Sequence, residues 1–147
     1  MKYDDASWHY GGDFPSDLPQ GAGSTHIAMF LAWAPSRGLI SALHIEEAPL
    51  ELAQLAVRSI TPVQWFTTIC DEKLTAGDLD DRGNLFARAY YANDEGIHAE
   101  EGSYIIDYIG LFSDFESPYE VPDTWTTFDA IARVIDRRFE TWLSSRT

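Results

Sequence analysis

The 147-residue chain has one cysteine, and only ten basic side chains against 24 acidic ones. A single thiol, Cys70, excludes an internal disulfide framework and a cysteine-only zinc site. The shortage of cations gives a formal net charge of −14. It argues against a free-standing nucleic-acid binder, because phosphate neutralisation needs Lys and Arg. It argues equally against docking on an anionic membrane surface. Long apolar runs are missing as well. The longest, Ile27 to Ala34, has eight residues, against roughly 20 for a membrane span. No apolar segment of the secretory type follows Met1-Lys2-Tyr3-Asp4-Asp5. The expectation is a cytoplasmic protein with a reduced thiol.

What the chain does have is apolar and aromatic mass. Hydrophobic residues make up 45%, with 5 Trp, 7 Tyr and 8 Phe, enough for a real core despite the charge. The length suits one domain, residues 1–147. Residues 1–23 are rich in Gly, Pro and Asp and read as an extended arm. The arm carries Tyr3, Trp8, Tyr10 and Phe14, which are expected to lie buried across the body.

Residues 24–147 read as a helical body. Ser24 and Thr25 offer a cap for a first helix, His26 to about Ala34, that is apolar on nearly every side and therefore central. Residues 39–48 are ambiguous between strand and helical turn. Pro49 opens a helix through Arg58, and Thr61-Pro62 opens another from Val63 to about Glu72. Residues 75–84 read as a loop, followed by helices at Leu85–Ala92 and Ser103–Phe112. The β-branched content of the last leaves a strand possible. The clearest stripe is Phe128, Ile131, Ala132, Ile135, Phe139, Trp142 and Leu143, in a helix from Trp125 to about Ser144. Arg133, Asp136, Arg137 and Glu140 are placed on its solvent side, with Asp129 and Arg133 as an i,i+4 pair. The fold class expected is mainly α: a single compact domain of five to six helices with the arm packed on the core.

The charge is uneven. Residues 71–129 hold 15 acids and 3 bases, whereas residues 130–147 hold 2 acids and 4 bases. An acidic middle steers a basic partner and raises its association rate. Asp78, Asp80, Asp81, Asp94, Glu95, Glu100 and Glu101, in loops or at element ends, are the candidate partner-binding residues. Other chemistries find little support. Counted as a calcium loop from Asp78, position 5 is Arg82 and position 12 is Ala89, so two ligands are missing. Gly21-Ala22-Gly23-Ser24-Thr25-His26 lacks both the nucleophile-elbow and the phosphate-loop spacing. The four histidines are far apart in sequence and none lies in a metal-ligand spacing, so neither metal nor cofactor is expected. Asp71 and Glu72 beside Cys70 are expected to raise its pKa, leaving it a packing residue. If the arm folds back, His9 and His26 converge with Asp4 or Asp5, and with Trp8 they form a polar and aromatic cluster.

Three stretches carry a resemblance. They are Asp4-Asp5-Ala6-Ser7-Trp8-His9-Tyr10 with Gly12-Asp13-Phe14-Pro15, then Thr25 to Trp33, and finally Asp123-Thr124-Trp125 with Asp136 to Trp142. With these the chain resembles a family of short, acidic, uncharacterised bacterial proteins, a domain of unknown function. The resemblance implies a bacterial single-domain protein and carries over no catalytic residue. Proteins of this size and charge are often immunity partners of polymorphic toxins, delivered by contact-dependent or type VI systems.

Three readings follow. In the first, the chain is a non-enzymatic immunity protein that neutralises a cognate toxin, basic at the contact, through its acidic surface. In the second, it is an acidic adaptor or nucleic-acid mimic unrelated to toxins. In the third, it is a small enzyme with Asp4, Asp5, Trp8, His9 and His26 around a pocket between the arm and the first helix. The oligomeric state is open.

Overall fold

The computed structural model describes residues 2–10, 18, 21–91 and 103–146. Their architecture is mainly α, with seven α-helices and one small two-stranded sheet. At the centre is α1, Thr25–Trp33, in which all nine residues are buried. Its apolar circumference leaves no face for water, so other elements must enclose it. The chief neighbours are α4, Pro62–Cys70, and α7, Trp125–Ser145. Fully burying side chains such as Phe30 or Leu31 contributes about 1.5–3 kcal/mol each.

The remaining helices are α2, Ala42–Glu47; α3, Pro49–Ala56; α5, Asp81–Tyr90; and α6, Tyr104–Leu111. The ambiguous stretch 39–48 is thus helical after Ile40, which forms an isolated bridge with Leu79. An aromatic cluster closes one end of the core. Phe86 stacks on Tyr90 at 5.2 Å between ring centroids and meets Phe139 edge-on at 5.1 Å. Trp33 meets Phe139 edge-on at 5.4 Å and donates its indole N–H to Asp136 at 2.8 Å.

Local chemistry explains most boundaries. Thr61 and Gln64 form a capping box at the start of α4, with Pro62 in its first turn. α4 stops at Cys70 because Asp71 and Glu72 are both left-handed, at φ 54° and 57°. The chain thereby turns into strand β2, Lys73–Thr75, which pairs antiparallel with strand β1, Lys2–Asp5. Gly83 lets α5 press against the preceding loop: a Cβ there would stand 2.8 Å from the Leu39 carbonyl oxygen.

Several sequence expectations change. The start of the arm is extended as expected and pairs with the body as strand β1, but a 3-10 turn follows over Ala6–His9. Tyr3 is buried as expected, but Trp8 is 57% exposed, with the Lys2 ammonium 5.1 Å from its ring centroid. Phe14 lies outside the described residues. Helix α5 begins four residues earlier than expected because the Asp80 carboxylate accepts the Gly83 N–H. Asp136 is 44% exposed at its side chain, and it also accepts from Trp33 and pairs with Arg37. Asp129 pairs with Arg58 at 2.7 Å, across the fold, so its main partner is not Arg133. No helix among the described residues is long and apolar enough to cross a membrane.

Candidate functional site

The expected convergence of arm and first helix occurs at one carboxylate, Asp4. Strand β1 brings Asp4 to the body, with Leu74 of β2 as its register partner. The Asp5 side chain then caps the 3-10 turn by accepting the Ser7 N–H at 2.9 Å. That tight turn folds His9 back over Asp4, five residues earlier. His26 arrives from the first turn of α1. Its carbonyl accepts the Tyr104 hydroxyl, which ties the helix start to α6. Tyr10 completes the seat, because its hydroxyl accepts the Gly21 N–H and its ring lies over Gly23. A Cβ on Gly23 would stand 3.1 Å from that ring.

Around Asp4 the donors are dense. Oδ1 accepts His9 Nε2 at 2.7 Å and the Asp5 N–H at 2.8 Å. Oδ2 accepts the Tyr91 hydroxyl at 2.5 Å, and His26 Nε2 stands 3.4 Å away. Burial alone would raise the Asp4 carboxyl, but the bonds from His26, His9 and Tyr91 hold it well below the usual carboxylate range. An ionised carboxylate only accepts, so His9 carries its proton on Nε2. His9 Nδ1 is then the acceptor for the Tyr119 hydroxyl, 2.8 Å away. Burial keeps the His26 ring neutral, pushing its pKa down against the pull of Asp4. Its Nδ1 has no hydrogen-bond partner among the described residues. The His9 and His26 rings meet edge-on with centroids 4.5 Å apart. Tyr119 also lines a cavity of about 300 Å³ with Thr25, Val63 and Asp123.

Of the five residues proposed for this cluster, three meet: Asp4, His9 and His26. Asp5 turns away to Lys2, at 2.7 Å, and Trp8 faces solvent. Sequence reasoning missed Tyr91 and Tyr119, which lie 87 and 110 residues from their partners. No local pattern announces contacts at that range.

The protein holds a second buried aspartate–histidine pair. Asp78 Oδ1 bonds His44 Nε2 at 2.8 Å, and Oδ2 accepts the Thr75 N–H and hydroxyl at 2.8 and 3.1 Å. Cys70 lies beside the pair. Its thiol is pushed strongly upward in pKa by burial and by Asp78, so the cause is not the flanking Asp71 and Glu72.

The expected partner-binding acids separate. Asp78 is buried in this pair, Asp80 caps α5, and Asp81 is exposed on the first turn of α5. Asp94, Glu95, Glu100 and Glu101 lie outside the described residues.

A surface that charge counting did not single out lies on α2 and α3. Leu43 is 56% exposed, Leu50 65% and Val57 75%. Leu50, Ala53 and Val57 recur at helical spacing on one exposed face. Residues 42–57 contain Glu46, Glu47 and Glu51 and no Lys or Arg. Beside α3, a cleft of about 250 Å³ is lined by Leu52, Leu55, Ala56, Trp125 and Phe128, with Arg58, paired to Asp129, at its wall. The spacing of Leu50, Ala53 and Val57 was visible in the sequence, but nothing there says which face of α3 the core takes.

The chain belongs to the family described as Domain of unknown function (DUF7832), whose model matches residues 2–121. The match takes in β1, the histidine cluster and the helices through α6, and it ends before α7. The quoted stretches at Asp123–Trp125 and Asp136–Trp142 therefore lie beyond it. No curated protein and no solved structure matches the chain significantly.

Proposed function

We propose that this chain is a non-enzymatic protein-binding module of the bacterial cytoplasm, an immunity protein that neutralises a cognate toxin by covering it. The observation that carries this reading is the α2–α3 face. Leu43, Leu50 and Val57 stand out in solvent within a segment that has three carboxylates and no cation. Apolar side chains of this size gain little from water, and an apolar patch with a polar rim is the ordinary anatomy of an interface. The partner that fits is a protein with an apolar projection flanked by Lys and Arg. The cleft beside α3 offers a seat for the projection, and the carboxylates supply steering. Two of the acids first proposed for contact, Asp78 and Asp80, are committed to the chain's own loops. Asp81 remains as an exposed outlying charge.

The test uses the reading frame immediately upstream in the genome of origin. Its C-terminal region is expressed from a tight promoter with this chain, and with the Leu50→Asp and Val57→Asp variants. Rescue by the parent chain and loss of rescue in folded variants supports the reading. A lethal product that the parent chain does not rescue, or a harmless product, removes it. Rescue that survives both substitutions moves the contact to another face.

A further inference from the structure

We propose that Asp4, His9 and His26 form a binding site for one divalent transition-metal ion, zinc by donor chemistry. Two imidazole nitrogens and a carboxylate are a borderline donor set that suits zinc over magnesium or calcium. The three side chains come from β1, the 3-10 turn and α1, yet their ligand atoms lie within 4.8 Å of one another. Asp4 Oδ1 stands 2.7 Å from His9 Nε2, and Asp4 Oδ2 stands 3.4 Å from His26 Nε2. Donors around tetrahedral zinc stand about 3.3 Å apart. Admitting the ion asks Asp4 and His9 to part slightly and the wider-set donors, all within 4.8 Å, to draw together.

The second observation is the unspent capacity of His26. Its side chain is 3% exposed. Its Nδ1 has no hydrogen-bond partner among the described residues, and its Nε2 makes only a long contact with Asp4, at 3.4 Å. A metal on Nε2 would exchange that long contact for a bond to the nitrogen lone pair, with the ring proton carried on Nδ1. The outer support is already in place for the other two ligands. Metal-bound His9 would give its Nδ1 proton to Tyr119, a hydroxyl that can accept as readily as it donates. Asp4 keeps the Tyr91 hydroxyl on Oδ2. Three protein donors leave a fourth tetrahedral position for water, and His9, 22% exposed at its side chain, is the edge through which an ion enters.

The other group of possible ligands, His44, Cys70 and Asp78, makes a poorer case. Its third ligand would be the Cys70 thiol, which burial and the neighbouring Asp78 hold protonated.

The full chain, freed of metal by chelation, is titrated with Co²⁺ and then Zn²⁺. One equivalent should bind, with the visible absorption of a low-coordinate cobalt site and no near-ultraviolet thiolate band. His9→Gln should weaken binding at least tenfold, and Cys70→Ser should leave it unchanged. Because His9 also holds the arm, a measurement on the parent chain stands beside the variant. In its histidine-ring ¹⁵N spectrum, zinc should shift two of the four histidines, those assigned to His9 and His26. Absence of stoichiometric binding overturns the proposal. So does undiminished binding by His9→Gln, a thiolate band lost in Cys70→Ser, or a shift at His44.

Discussion

The molecule buries two aspartate–histidine clusters, and they differ in how completely they are satisfied. Around Asp78 the account closes: both carboxylate oxygens and the His44 Nε2 are bonded to groups within residues 44–78. That cluster is a staple. It fixes the loop before α5, whose backbone also takes bonds from Ser41 to Asp78 and from Asp80 to Leu39. Around Asp4 the partners come from residues 9, 26, 91 and, through His9, 119. There His26 retains a nitrogen without a partner among the described residues. A local cluster can be saturated by adjusting one loop. A cluster assembled from four separated segments inherits its geometry from the whole fold, and capacity left over at such a place is where a ligand is to be sought.

Acid should separate the two most strongly. In the metal-free protein the folded pKa of His26 lies below its unfolded value. The unfolded chain therefore takes up a proton near pH 6.5 that the folded chain refuses, and stability falls as pH drops through that value. A second loss begins near pH 4, where unfolded carboxyls protonate before Asp4 and Asp107, both held low in the fold. For Asp107, burial opposes the shift and the Arg138 and Tyr90 bonds outweigh it. Thermal unfolding followed from pH 8 to pH 3 should show both stages, and His26→Gln should remove the upper one. A flat profile between pH 8 and pH 5 would contradict the neutral, buried His26.

Asp78→Ala should cost about 3 kcal/mol, because it strands His44 and the Thr75 N–H in the interior. Denaturant titration measures the loss. A thiol reagent should reach Cys70 faster in the variant than in the parent. Tyr91→Phe removes one donor from an ionised carboxylate and should cost about 1.5–3 kcal/mol. If it costs nothing, Asp4 is not held as described. The smallest effect is expected at the edge of the same cluster: Trp8→Ala should change stability by no more than about 0.5 kcal/mol, since the ring is exposed.

Much of the helical frame was legible. The all-round apolar run of α1, the proline-opened α3 and α4 and the stripe of α7 each express a rule that acts within a few residues. The sheet was not, because strands of four and three residues some 70 positions apart carry no periodicity of their own. The halt of α4 was hidden because the left-handed residues are Asp71 and Glu72, not glycine.

For the site, naming Asp4, His9 and His26 together needed only the guess that the arm folds back. The guess for Trp8 failed because a large ring does not by itself require burial. Two of the acidic candidates, Asp78 and Asp80, are committed to the fold itself. Counting charge does not tell a cap from a free carboxylate, although Thr75-Ala76-Gly77-Asp78 has the spacing of a capping box and could have marked Asp78 as internal.

The distances along the chain between Asp4, His9 and their tyrosines also set an order of events. His9 is synthesised 110 residues before Tyr119, and Asp4 87 residues before Tyr91. The contacts of the arm with Tyr91 and Tyr119 therefore wait until those residues have followed it. Its contacts then belong to the final descent into the native state. Weakening them should leave the refolding rate nearly untouched and quicken unfolding, so the grip of the arm governs how long the finished molecule lasts.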